Sequence, residues 1–279
     1  RSALLLKRWR CSIYSRRRFS GKSFRETFGA EIKMKIKVIK IGGKLIEDDA
    51  VLQPLCDSLA KLDYPFVLVH GGGVMGSHLA EKLGVEVKMH EGRRITDAAT
   101  LDITVMAYAG LANKRVVAAL QARGVNACGL SGCDMAVVKS CRRAVKDIDW
   151  GFVGDVDKAD GRVLAMLLDA GITPVVSPIT MSEQGELLNT NADSVASAVA
   201  MGLADRYDVE LVFTLDKAGV LLDVNDSSSL IETITPALYA QLRADEKIHS
   251  GMIPKIDNAY KTIESGVDSV RITSPYDLS

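Results

Sequence analysis

The sequence contains no run of eighteen apolar residues, so no segment qualifies as a membrane-spanning helix. Cysteine is sparse. The five residues at 11, 56, 128, 133 and 141 are odd in number and form no disulfide-like framework, which fits a reducing compartment. No histidine lies near Cys128 and Cys133, so the expectation for a protein metal site is none. Net charge is absent too, +0 over 279 residues. It is unevenly divided: residues 1–33 hold ten Lys/Arg and two Glu, and residues 34–279 hold 25 Lys/Arg and 33 Asp/Glu. The acidic body argues against non-specific nucleic-acid binding. Gly21-Lys22-Ser23 imitates the end of a P-loop, but Arg16 stands where that pattern needs glycine.

Residues 1–33 are rich in Arg and Ser and poor in acid, a composition foreign to a folded core. They read as a disordered leader: a transit peptide, an artificial leader or translated upstream sequence. Met34 is the expected natural start. The expected location is cytoplasmic, or an organelle if the leader is a transit peptide. The 47% hydrophobic content suffices for one large domain or two modest ones.

What is present is a recurring unit. Residues 38–41 are apolar and β-branched apart from Lys40, the mark of a short buried strand. Gly42 and Gly43 follow, then a helical stretch over 48–62. Strand, glycine turn and helix open a βαβ unit, and open α/β sheets bind ligands beyond the carboxyl ends of their strands. Glycines there let backbone N–H groups approach an anion, and a lysine adds a point charge. This suggests phosphate handling; a solvated lysine before an ordinary turn is the alternative. The unit recurs with a strand at 66–69, then His70 and Gly71-Gly72-Gly73, then a helix to about 83. His70 reads as a core histidine. Two glycine turns at one sheet edge can face one ligand from two sides.

Alternation over 85–96 predicts a hairpin that turns at Glu91-Gly92 and ends in Arg93-Arg94. One of these arginines is a candidate for bidentate carboxylate binding. Thr96 or Asp97 caps a helix to 113, and its small residues Ala107, Ala109, Gly110 and Ala112 suggest close packing against a second subunit, a homodimer. Strands are expected at 126–130 and 173–176. Hairpins are expected at 137–142 with 151–156 and around the turn 183–186, and a helix at 161–170 ends at Gly171. Asn191 caps a helix over 194–201. Asp193 lies in the first turn, where the macrodipole favours the ionised carboxylate. Such a carboxylate can position lysines, although plain capping would also explain it. A strand at 210–214 leads to the turn Asp216-x-x-Gly219. Helices follow Pro236 and Pro254, and 269–273 is a final strand. Lys255 opens the last helix, where a bound anion would offset its conflict with the macrodipole.

Taken in order, Lys40-Ile-Gly-Gly, His70-Gly-Gly-Gly, Glu91-Gly-Arg-Arg-Ile-Thr, Asn189-Thr-Asn-Ala-Asp193 and Gly251-Met-Ile-Pro-Lys255 resemble the amino acid kinase family over about residues 35–279. Within it they most resemble members that phosphorylate an acylated glutamate in arginine biosynthesis. The resemblance implies an α/β fold, a three-layer αβα sandwich with a central, mostly parallel sheet. It implies a lobe over 34–205 for the acylated amino acid and a lobe over 206–279 for ATP. Members usually continue past the position of Ser279, so this lobe is expected to be truncated. Lys40, Asp193 and Lys255 would be catalytic, two lysines and the aspartate that organises them. Gly71, Gly72, Arg94 and Asn189 would bind the acyl amino acid. Gly42, Gly43, Asp216, Lys217, Gly219, Leu221 and His249 would bind the nucleotide.

The implied reaction is transfer from ATP with Mg²⁺ to the γ-carboxylate of an N-acyl-L-glutamate, the metal held by ATP oxygens and water. The acyl group, acetyl or a larger one such as succinyl, is left open, as is inhibition by arginine. A uridylate kinase, an aspartokinase or a carbamate kinase would share the scaffold, but the contexts of Arg94 and Asn189 favour an acylated amino acid. A non-catalytic nucleotide-binding regulator would not need both lysines and Asp193. A Rossmann dehydrogenase is set aside. The expected partners are small molecules, with neither nucleic acid nor membrane.

Overall fold

The computed structural model describes residues 11–13 and 33–278, apart from 216, 218, 224, 246 and 249–251. Six parallel strands form the centre of the main sheet. Their order is Ser269–Thr273, Asp208–Thr214, Lys35–Ile41, Phe66–His70, Thr173–Val176 and Ala127–Leu130. At one edge, Cys11–Ile13 pairs antiparallel with Ser269–Thr273 and parallel with Thr233–Ile234.

The central strands are continuous apolar runs because both of their faces are covered. Alternate residues enter opposite cores. Ile36, Val38, Val67, Val69, Leu211 and Phe213 share one core with the helices Ala192–Leu203 and Ile253–Glu264. Ile39, Ile41, Phe66, Leu68 and Val212 share the other with Asp49–Leu59 and the helical run that begins at Ala98. This is the expected three-layer αβα arrangement.

Several elements differ from the sequence reading. The helix expected over 48–62 is Asp49–Leu59, and a short helical piece, Lys44–Glu47, precedes it unforeseen. Asp48 between them is extended, and its carboxylate accepts from the Ala50 N–H to cap the second piece. The hairpin over 85–96 shrinks to Met89–His90 paired with Arg93–Arg94. The helix expected to stop at 113 runs on. Asp97 caps Ala98–Thr104, the segment Val105–Ala112 is π-helical, and Asn113–Gln121 returns to α form. Within it, Ala107 and Ala112 are buried by packing inside this one chain, whereas Met106, Gly110 and Leu111 are exposed.

The two later hairpins pair as expected, Val138–Arg142 with Val153–Ala159 and Ile179–Met181 with Leu187–Thr190. They also join each other through parallel contacts and close a small four-stranded barrel, which the sequence reading lacked. Gly151 attaches this barrel to the arginine hairpin. It bridges Thr96 at a φ of +68°, and a Cβ there would lie 2.2 Å from the Thr96 carbonyl oxygen. No helix among the described residues is long and apolar enough to cross a membrane.

Candidate active site

The carboxyl ends of the parallel strands open onto a cleft of about 870 Å³. Seven of the expected site residues line it: Lys40, Gly71, Gly72, Arg94, Asn189, Asp193 and Lys255. Gly42 and Gly43 lie in the turn beside it. The Gly71 N–H donates to the Ile41 carbonyl at 3.0 Å, and a Cβ on Gly43 would sit 2.9 Å from the Gly72 nitrogen. The two glycine turns therefore meet backbone to backbone, as their shared sheet edge suggested. Lys217, Gly219 and Leu221 follow the strand Asp208–Thr214 and are not among the cleft-lining residues. Asp216 and His249 lie outside the described residues.

Three charges from distant parts of the chain converge in the cleft. Lys40 comes from a strand end, Asp193 from the first turn of Ala192–Leu203, and Lys255 from the first turn of Ile253–Glu264. Lys40 Nζ lies 2.9 Å from Asp193 Oδ1, and Lys255 Nζ lies 2.5 Å from Oδ2. Burial alone would raise the Asp193 carboxyl, but the charges of Lys40 and Lys255 outweigh it and hold the group below its ordinary 3.8. Asp193 therefore remains ionised. Its depressed value contributes stability above the ordinary carboxylate range, which is lost as pH falls through the folded value. Capping belongs to Asn191, whose side chain accepts from the N–H groups of Asp193 and Ser194. The Asp193 carboxylate is thus free of that duty.

At the other end of the cleft Arg94 is buried and Arg93 is exposed. Arg94 Nη2 donates to the Gly73 carbonyl at 2.9 Å and to Ser77 Oγ at 2.8 Å. Its Nη1 is buried and has no hydrogen-bond partner among the described residues. A buried guanidinium nitrogen without an acceptor is costly, and a ligand carboxylate would satisfy it. Asn189 Nδ2 donates to Thr96 Oγ1 at 3.0 Å, which leaves its oxygen available to a ligand.

Ser77 and Tyr108 also line the site, and the sequence reading gave Tyr108 no role in binding. The spacing of Gly72 and Gly76 was the available signal. A Cβ on Gly72 would meet Tyr108 Cδ1 at 2.3 Å, and one on Gly76 would meet Cε1 at 2.9 Å. The buried Tyr108 ring fills the space those side chains would need. Gly71, Gly73 and Gly76 also stand at the spacing of a dinucleotide fingerprint after a strand, so glycine spacing by itself does not set a dehydrogenase aside.

His70 ends its strand fully buried. Burial pushes its imidazole from 6.5 down to about 4; the hydrogen bond to Gly71 opposes this, and the charge of Lys114 adds to it. The unfolded chain therefore takes up the proton before the folded chain does, and stability falls as pH drops from 6.5 to about 4. The full span is on the order of 3 kcal/mol. The urea midpoint is expected to fall between about pH 7 and pH 4.5, with a clearly smaller drop in His70→Asn. An equal drop in that variant would assign the pH dependence to other groups.

Over most of its length the chain is similar to known proteins. The sequence profile of the amino acid kinase family matches residues 35–274. Acetylglutamate kinase of Bacteroides thetaiotaomicron is 50% identical over 242 residues, covering 87% of this chain and 94% of that protein. Acetylglutamate kinase of Cytophaga hutchinsonii is 46% identical over 239 residues, covering 85% and 90%. The crystal structure of smu.665 from Streptococcus mutans superposes with a TM-score of 0.70 at 31% identity, covering 85% of this chain and 94% of that one.

Proposed function

The chain belongs to the amino acid kinase family, and on that premise we propose that it transfers the γ-phosphoryl group of ATP to the γ-carboxylate of an N-acyl-L-glutamate, with N-acetyl-L-glutamate as first choice. This is a phosphotransfer to a carboxyl acceptor, a step of amino-acid biosynthesis that would lead to arginine. The observation that carries the reading is the meeting of Lys40 and Lys255 on Asp193, in one cleft with a buried arginine whose Nη1 lacks an acceptor. The relatives supply the identity of the acceptor.

The acceptor carboxylate is already ionised and needs no general base. The residues must instead align two anions and neutralise charge on the group in transit. Lys40 and Lys255 approach that group from two sides, and Asp193 holds the two cations in place. The amides of Gly42 and Gly43 serve the phosphate side. Arg94 takes the α-carboxylate, and the Asn189 oxygen accepts from the acyl amide N–H. We assign residues 34–205 to the acceptor and residues 206–279 to the nucleotide, which Asp216, Lys217, Gly219, Leu221 and His249 would contact.

Mg²⁺ bound to ATP would lower the charge the lysines must offset. Both Asp193 oxygens face lysines, and the described residues hold no group of three His, Cys, Asp or Glu suited to a metal, so the ion would rest on ATP oxygens and water.

Trapping the acyl phosphate as its hydroxamate, with ADP release measured in parallel, tests the assignment. N-acetyl- and N-succinyl-L-glutamate are compared with aspartate, UMP and carbamate. Turnover with aspartate, UMP or carbamate but with neither acylglutamate would overturn it. A homodimer is also expected, through the outward side of the helical run that carries Met106 and Leu111. Light scattering that shows only monomer at micromolar concentration would refute this.

A further inference from the structure

We infer that His70 is a positioning residue: acting through the Gly71 carbonyl, it aims the Gly72 N–H into the cleft at the acceptor carboxylate. This rests on the acceptor reading above.

Asn113 fixes the tautomer of His70. Its Nδ2 donates to the Val175 carbonyl at 2.9 Å and lies 3.1 Å from His70 Nε2. Its Oδ1 accepts from Lys114 Nζ at 3.2 Å. These partners fix which end of the Asn113 amide is nitrogen. An amide nitrogen only donates, so His70 Nε2 must carry the lone pair. The proton then sits on Nδ1, which lies 2.8 Å from the Gly71 oxygen and donates to it. The relay is rigid at its origin, because His70 and Asn113 are both buried and Val175 belongs to the central sheet.

The peptide that joins Gly71 to Gly72 is trans, so its carbonyl and its N–H point in opposite directions. Holding the carbonyl on the His70 side turns the Gly72 N–H the other way. Gly72 lines the cleft and its nitrogen sits against Gly43, where the two glycine turns meet. Glycine at both 71 and 72 leaves this peptide with little intrinsic preference, since neither residue has a Cβ to restrict it. An outside constraint must therefore choose its orientation, and the Nδ1–H of His70 is the donor placed to do so. A preorganised amide aimed where charge changes during reaction is worth much more than one that must reorient.

Substitution separates this role from packing. An asparagine amide places its nitrogen near Nδ1 of the histidine it replaces, and a glutamine amide places its nitrogen near Nε2. His70→Asn should therefore keep the donor to Gly71 and retain kcat/KM for the acceptor within about threefold, whereas His70→Gln should lose about tenfold to a hundredfold, with KM for ATP nearly constant in both. Equal losses in the two variants at equal melting temperature, or losses shared by ATP and acceptor, would overturn the inference.

Nitrogen-15 shifts of the His70 ring in the unmutated protein give a second readout that survives any folding failure of the variants. A protonated Nδ1 is expected, and a protonated Nε2 would overturn the inference. A wild-type protein that forms no acyl phosphate would instead defeat the acceptor reading. An active wild type with the wrong tautomer would defeat this inference alone.

Discussion

Asp193→Asn should lower kcat by about a hundredfold or more with saturating substrates, while KM for either substrate changes much less. On the proposed mechanism the two lysines would meet the phosphoryl group most fully in the transition state, where charge spreads over its equatorial oxygens. Without Asp193 two like charges share a partly buried cleft with nothing to hold them in register. Lys40→Ala and Lys255→Ala should each cost about 10²–10³ in kcat. The double variant Lys255→Ala/Asp193→Asn should lose clearly less than the product of the single losses, because Asp193 acts through the lysine it holds. The comparison is clean because Asn191 already caps the helix, so Asn at 193 removes charge without removing the cap. Stability should respond less than turnover, since both lysine side chains keep some exposure, 14% for Lys40 and 24% for Lys255, and solvent screens the pairs. Near-normal turnover of Asp193→Asn would end the idea that these three residues work as one unit.

Arg94→Ala should raise KM for the acyl amino acid by about one to three orders of magnitude, on the order of 1.5–4 kcal/mol, and leave KM for ATP almost unmoved. The unpartnered Nη1 gives the reason: Arg94 holds its position through Gly73 and Ser77 and keeps one donor back for a ligand. Ser77→Ala removes one of those anchors and should give a smaller loss of the same kind. Exposed Arg93 should tolerate alanine far better. Comparable losses for both substrates in Arg94→Ala would place this residue in the fold rather than at the acceptor.

How much of this was legible in the sequence varied with the physics of each part. The strands at Lys40 and His70 were plain, because two-sided burial demands apolar runs and the turns after them are glycine. The Asn191 cap was plain because capping is local. The small barrel was not. Its strands are short, and its closure depends on parallel pairs between segments distant in sequence, such as Met181 with Lys139. The π segment over 105–112 was also hidden, since a wholly apolar stretch carries no periodic signal to betray a widened turn. The union of Lys40, Asp193 and Lys255 could be suspected only from motif order, because no local rule brings residues 40, 193 and 255 together. The role inferred for His70 was invisible. A buried histidine next to glycine reads as core until the Asn113 amide is placed beside it.

The position of the first strand has a consequence for synthesis in the cell. Lys35–Ile41 is central, with Phe66–His70 on one side and Asp208–Thr214 on the other. The second neighbour is late: Thr214, which donates to the Lys40 carbonyl, is made 174 residues after Lys40. At ribosomal rates of about 5–20 residues per second, the strand waits roughly 9–35 s with one edge unpaired. An apolar strand with an open edge is a template for other nascent chains. Soluble yield should therefore depend on shielding during that interval, and slower translation beyond His70 should lower it. Residues 34–205 and 206–279 made as separate polypeptides would each display an open sheet edge, on Lys35–Ile41 and on Asp208–Thr214, and should precipitate when expressed alone.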